Sequence, residues 1–343
     1  MNRDRAIDFF KVLLVVGMII AHSIQFLGDS SSKIQQVIST FVNLITFSGF
    51  MFCFGYATNI AYMKKTREEV SEKLIRGAIK ILVVFYISGI AYKLLVSKNL
   101  NIVELIKIIL LFRIPGYSEF LLSFSVLNLV ILIFFNLFKK SLQVNKTFLL
   151  IIAISLLATF IPYELVILSQ IGIIIGTTKF ACFPILQYIC YFMFGLYFNQ
   201  NKIKFNIKFL LLSLLGSLSF ILYTIVNREL PSRFPPSIVW VIGASFFLYM
   251  YYLASKYLSN KINFSKHFYF IGENTLYFLL TSNLILFTLE YFMPTLKFSL
   301  LSSIISALVI LIVSYIIIYL NIRYVIKPKG KQAGNMVTTQ HHR

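Results

Sequence analysis

Of the four histidines in this 343-residue chain, only His22 lies deep inside an apolar run. It follows Met18, Ile19, Ile20 and Ala21, well into the run from Phe9 to Leu27. An ionisable side chain within a membrane is costly and usually faces a polar interior or a pathway. An imidazole also titrates near neutral pH, which suits proton transfer. The structural use of such a residue is a neutral ring hydrogen-bonded to a neighbouring helix. At the level of sequence, both uses are open for His22. Lys11 precedes it by a helical rise of ~16 Å, close to three full turns. The two side chains therefore share a face, one near the membrane surface and one deep. That arrangement suits a site with an anion anchor at the surface and a proton acceptor further in. For Lys11 the plain alternative is a snorkelling lysine that marks topology.

The remaining histidines and the cysteines offer less. His267 stands beside Lys266 at the start of an apolar run, the ordinary setting of a solvated interfacial histidine. His341 and His342 are adjacent in the tail, and two such ligands are too few for a metal site. Cys53, Cys182 and Cys190 each lie within apolar sequence, with neither a paired framework nor metal-ligand spacing. They read as small buried apolar residues, and no metal is expected.

The elements that must position His22 are membrane helices. The chain is 58% hydrophobic and only 13% charged, and its mean hydropathy is +0.83. Soluble domains sit near ~45–50% apolar and ~25% charged, so a soluble enzyme, a disordered chain and a nucleic-acid-binding protein are excluded. The net charge of +20 falls between apolar runs rather than on one face, as topology signals and contacts with anionic lipid do. The class implied is all-α: a polytopic transmembrane helical bundle of about ten spans.

Those spans read as Phe9–Leu27, Val37–Met63, Ile81–Val96, Phe120–Phe138, Thr147–Pro162, Cys182–Phe198, Phe209–Val226, Ser237–Ala254, Phe268–Phe287 and Leu300–Leu320. A cleaved signal peptide is the alternative for the first, but no small-residue cleavage site stands out and many spans follow. The piece Ile102–Phe112 is too short to cross and reads as interfacial or re-entrant. Residues 164–180 are moderately apolar, broken by Gly172 and Gly176, and whether they cross is open. The connector Asn227–Pro236 holds three prolines and cannot be helical throughout. With a cytoplasmic N-terminus, this map places most of the 32 Lys and Arg residues on the cytoplasmic side. Both termini are then cytoplasmic: residues 1–322 form the membrane domain and 323–343 a short basic tail. No internal repeat of the transporter kind is visible.

The run Ile7-Asp8-Phe9-Phe10-Lys11, continuing to His22, resembles the first span of the membrane-bound acyltransferase 3 family. Members of that family begin with an Asp-x-x-Arg pattern, followed after ten intervening residues by a His, which here reads Lys11-x10-His22. Phe47-Ser48-Gly49-Phe50 is similar to the family's second-span Phe/Ile-Ser-Gly-Tyr/Phe motif. The basic stretch with Arg76 and Lys80 resembles its Arg-rich loop, and Gly272-x-x-Thr275-Leu276-x-Phe278-Leu279-Leu280 its late Gly-x-x-Ser-Leu pattern. There are departures. Lys11 stands where Arg is usual, keeping the charge but losing the bidentate fork. Glu119-Phe120 replaces Trp-Phe. Thr281, Ser282 and Asn283 stand where a second His commonly follows. The SGNH-type esterase domain that some relatives carry is not expected after the tenth span.

The resemblance implies an acyl group, commonly acetyl, moved from cytoplasmic acyl-CoA to a hydroxyl of a cell-surface or lipid-linked carbohydrate in the plasma membrane. It implies acyl-CoA as co-substrate rather than a bound cofactor, and membrane lipid, acyl-CoA and the glycan as partners. Lys11, Arg76 and Lys80 would meet the phosphates of CoA, and His22 would act as general base. An acyl-imidazole is a variant. Glu119 is the carboxylate expected to orient His22, because Asp8 lies ~21 Å away along the same helix. Ser48 is expected near His22 or in close helix packing, and Arg233 against an acidic glycan or in solvent. Two other classes remain: a transporter or flippase for a glycan that uses His22 as a proton relay, and a structural protein in which Lys11 and His22 merely position the first span.

Overall fold

The computed structural model describes residues 4–326, and every regular element among them is a helix. The fifteen α-helices are α1 (Arg5–Leu27), α2 (Lys33–Ala61), α3 (Arg67–Leu95), α4 (Ile102–Ile109), α5 (Glu119–Ile133), α6 (Phe135–Ser141), α7 (Asn145–Leu157), α8 (Ser169–Ile175), α9 (Ile185–Gln200), α10 (Ile207–Asn227), α11 (Ile238–Gly243), α12 (Ser245–Lys261), α13 (Lys266–Glu273), α14 (Thr275–Phe292) and α15 (Leu300–Leu320). Seven stretches are long and apolar enough to cross a membrane, or eight if the bent pair α5 and α6 makes one crossing. The helices α7 and α9 are shorter. His341, His342 and most of the basic tail lie outside the described residues.

The first helix is the axis of the molecule. It packs against α2, α12, α13, α14 and α15, and most of its residues are buried. A surface helix shows one apolar stripe, whereas a helix that is apolar all round belongs in an interior. At its start, Asp4 accepts from the backbone of Ala6, from the Tyr56 hydroxyl at 2.6 Å and from Lys256 Nζ at 2.7 Å. This ties the head of α1 to the far ends of α2 and α12. Burial works against the charged carboxylate, but the Lys256 and Tyr56 donors outweigh it and hold the Asp4 carboxyl below the ordinary range. A carboxyl held down contributes stability above its unfolded value and loses it as pH falls through the folded one. We therefore expect the detergent-solubilised protein to melt at falling temperature below about pH 4, with Asp4→Asn flattening that acid limb in a thermal-unfolding series.

The largest helix–helix contact joins α2 to α9, and two glycines make it possible. A Cβ on Gly55 would lie 2.0 Å from the Phe192 carbonyl oxygen, and one on Gly195 would lie 2.1 Å from that of Phe52. The two backbones touch, as small residues permit between membrane helices. Gly195→Leu has no flexible neighbour to displace. It is expected to cost more than the ~1–3 kcal/mol of ordinary overpacking, read as a lost folded fraction by size-exclusion chromatography. Gly49 also serves packing: a Cβ there would meet Leu14 and Leu248.

Three features depart from the linear map. The third helix begins at Arg67, well before Ile81, because Thr66 and Glu69 form a reciprocal capping box. Arg76 and Lys80 are thus helical rather than in a connector. The expected straight span Phe120–Phe138 is α5 and α6, bent by 78°. No proline or glycine marks the break; the turned segment buries Phe135 and Phe138 and sets Lys139 on the Lys65 carbonyl. The third departure is α13, which ends at Glu273 before α14 starts at Thr275, so the ninth apolar run is two helices. The piece Ile102–Phe112 is the eight-residue α4, with Ile102, Val103 and Ile106 exposed. Residues 164–180 hold only short helical turns and the seven-residue α8.

Candidate active site

Two motifs distant in sequence lie side by side. Gly272 rests against the backbone of Asp8, where a Cβ would come within 2.1 Å of the Asp8 carbonyl oxygen. Further along, His22 Nδ1 lies 2.8 Å from Asn283 Oδ1. The pairs Asp8–Gly272 and His22–Asn283 show that α1 and the α13–α14 unit run in the same direction. The late motif therefore lies alongside the first.

Asn283 is fully buried, and its Nδ2 donates to the Tyr117 carbonyl at 3.2 Å. That bond turns the amide so that Oδ1 faces the imidazole. Nδ1 must then donate, and Nε2 keeps its lone pair. Tyr117 offers this carbonyl from a left-handed backbone, with φ of 61°, a conformation costly for a bulky residue and often held at functional sites. The Tyr117 ring meets His22 edge-on at 5.2 Å and packs on Phe26 at 4.6 Å.

His22 lines a cavity of about 330 Å³ with Glu119, Arg233, Gln25, Asn43 and Tyr117. Glu119 is the first residue of α5, and Arg233 comes from the proline-rich connector. Its guanidinium sits 5.3 Å from the Phe183 ring and 4.5 Å from that of Phe234. Burial pushes the Arg233 guanidinium down, and the Glu119 carboxylate is the first charge that supports it. Glu119 Oε2 and Arg233 Nε are both buried without a hydrogen-bond partner. Both groups keep other contacts: the Glu119 carboxylate meets backbone N–H groups at the start of α5, and the Arg233 guanidinium lies over the rings of Phe183 and Phe234.

A second cavity, of about 180 Å³, begins at Lys11 and is apolar apart from Lys11, Cys53 and Thr275. Met18, Phe120 and Leu279 line both cavities and form the wall between them. Lys11 pairs with Asp8 at 2.8 Å. His22 and Lys11 thus open onto successive compartments along one helix face.

Three of the expected site residues, His22, Glu119 and Arg233, share one cavity. Glu119 does not orient His22, however; Asn283 occupies that place, and no hydrogen bond joins the carboxylate to the ring. Ser48 is buried beside the Tyr191 hydroxyl and lines neither cavity. It faces helix packing because its neighbour Phe47 takes the cavity side. Arg76 is exposed and paired with Glu72. Lys80 stands 4.7 Å over the Tyr277 ring, next to Leu276 of the second cavity. The sequence signal missed was Asn283 itself, an amide in the middle of an apolar run. Among the described residues, no group of three or more His, Cys, Asp or Glu could hold a metal.

An all-helical membrane bundle with a half-buried, oriented histidine at a polar cavity is the class that the fold and site define. The chain belongs to the acyltransferase 3 family: the family model described as an acyltransferase domain matches residues 4–320. Fold and family together make it a membrane acyltransferase. No curated protein and no solved structure matches the chain.

Proposed function

We propose that the protein moves an acyl group, acetyl in the first instance, from cytoplasmic acyl-CoA to a hydroxyl of a cell-surface or lipid-linked carbohydrate. His22 Nε2 is the general base. The observation that carries this reading is the orientation of His22 by Asn283 at a cavity that Glu119 and Arg233 also line. The acceptor hydroxyl gives its proton to Nε2 as its oxygen bonds to the thioester carbonyl carbon. The C–S bond then breaks, and the imidazolium returns the proton to the CoA thiolate. Glu119 and Arg233 bind the acceptor's polar groups, the former accepting and the latter donating.

The chain crosses the plasma membrane ten times with both ends cytoplasmic, which agrees with the parallel run of α1 and α13–α14. Lys11 then faces the cytoplasmic compartment, and Arg76 and Lys80 stand on the cytoplasmic end of α3. The uncharged pantetheine arm suits the apolar second cavity, with the thioester crossing the Met18, Phe120 and Leu279 wall toward His22. Lys11→Met is expected to raise the KM for acyl-CoA about tenfold, the worth of one charge-assisted contact. Initial rates against acyl-CoA concentration check this, and Lys11→Arg should restore the wild-type value.

The test of the whole reading is transfer in membranes containing the protein. Labelled acetyl-CoA is supplied, and glycan and lipid fractions are counted. Label in either fraction, dependent on the protein, supports the proposal. Label in neither, across acetyl and longer acyl donors, counts against it and favours movement of a glycan without chemistry.

A further inference from the structure

Away from the histidine cavity, α9, α10 and α12 enclose a groove of about 370 Å³. Its lining is almost wholly apolar, with Phe194, Phe198, Phe209, Leu212 and Leu248 prominent. It opens sideways, since Leu212 and Leu215 on its lip are 61% and 63% exposed. On α10 it runs from Phe209 to Ser219, a rise of ~15 Å. That is the depth of one leaflet of a hydrocarbon core ~30 Å thick.

One end of the groove is basic. Tyr249 and Tyr252 belong to its lining, and their hydroxyls clamp the connector that precedes α10. Tyr249 accepts from the Asn206 backbone at 2.8 Å, and Tyr252 donates to the Ile203 carbonyl at 2.6 Å. This connector and the first turn of α10 carry Lys202, Lys204 and Lys208, all exposed. No Asp or Glu lies between Glu164 and Glu229 in the chain, and none of the three lysines is in an ion pair among the described residues.

We propose that this groove binds an anionic phospholipid, with one acyl chain along α10 and the phosphate against Lys202, Lys204 and Lys208. The shape suits a single-leaflet chain, and unpaired lysines at one end favour an anionic headgroup over a zwitterionic one. The site is independent of the acyl-transfer reaction.

The test uses the full chain in nanodiscs of equal phosphatidylglycerol and phosphatidylcholine. Each lipid in turn carries a diazirine in mid-chain, and photo-adducts are mapped by peptide mass spectrometry. We expect the phosphatidylglycerol probe to label residues 207–227 and 238–261 about fivefold more than the phosphatidylcholine probe. Replacing the three lysines together (K202Q, K204Q, K208Q) should bring that ratio close to one. Ser219→Phe, which fills the groove, should reduce labelling by both probes. Equal labelling by the two lipids in the wild type would overturn the proposal, even if every variant failed to fold. So would equal labelling of the outer face of α15, or a chain-to-chain adduct at the groove, which would assign it to a second copy.

Discussion

His22→Ala is expected to lower acyl transfer by ~10² to 10⁴-fold, the range that a positioned general base contributes. The effect should fall on kcat, because the ring takes its proton only as the acceptor oxygen attacks. The imidazole lines a cavity rather than filling a packed core, so its removal leaves the helices in contact. It does strand Asn283 Oδ1, at a cost of ~1–3 kcal/mol, and a thermal-unfolding measurement at matched expression should accompany the rates. His22→Gln separates the two effects, since its amide can still donate toward Asn283 but is no base. Both variants should be folded and inactive. Near-normal transfer by folded His22→Gln would remove His22 from the chemistry.

Asn283→Leu is the second large effect. It removes the acceptor that fixes the proton on Nδ1 and replaces an amide tied to the Tyr117 carbonyl with an apolar side chain of similar size. The ring is then free to rotate and to adopt the tautomer with Nε2 protonated, which cannot accept the hydroxyl proton. We expect kcat to fall about 10- to 100-fold, a share of what the base itself contributes, with the KM for acyl-CoA unchanged. Asn283→Asp loses the tie to Tyr117 and adds a negative charge beside the ring, but it keeps an acceptor for Nδ1–H, so its kcat should fall less than that of Asn283→Leu. A merely structural role would move thermal stability and leave the kcat of the folded fraction intact. A KM change without a kcat change would also count against orientation.

Much of the helical plan was legible in one dimension. The tenth run matched α15 at both ends, and the seventh matched α10 to within two residues. Such runs are limited by where charge begins, and charge is local. The early start of α3 was also legible, in Thr66 and Glu69, but the lysines and arginines around them read as a connector. The bend between α5 and α6 was not legible. Its run carries no helix breaker, and the break exists to bury Phe135 and Phe138.

At the site, the sequence by itself determined the chemical parts. His22 and Lys11 share one helix face because a helix repeats every ~3.6 residues, and together with Asp8 they carry the resemblance to the family's first span. The identity of the partner of His22 was decided by tertiary structure. Asn283 lies 261 positions away along the chain, and only the approach of α13 to α1 over Gly272, with Tyr117 held in a left-handed turn, sets its oxygen on the ring. Glu119 and Arg233 were visible as charges. Their meeting at one cavity depends on where α5 and the proline-rich connector fold. Periodicity is a property of each helix and survives in the sequence, whereas register between helices is set by packing and does not.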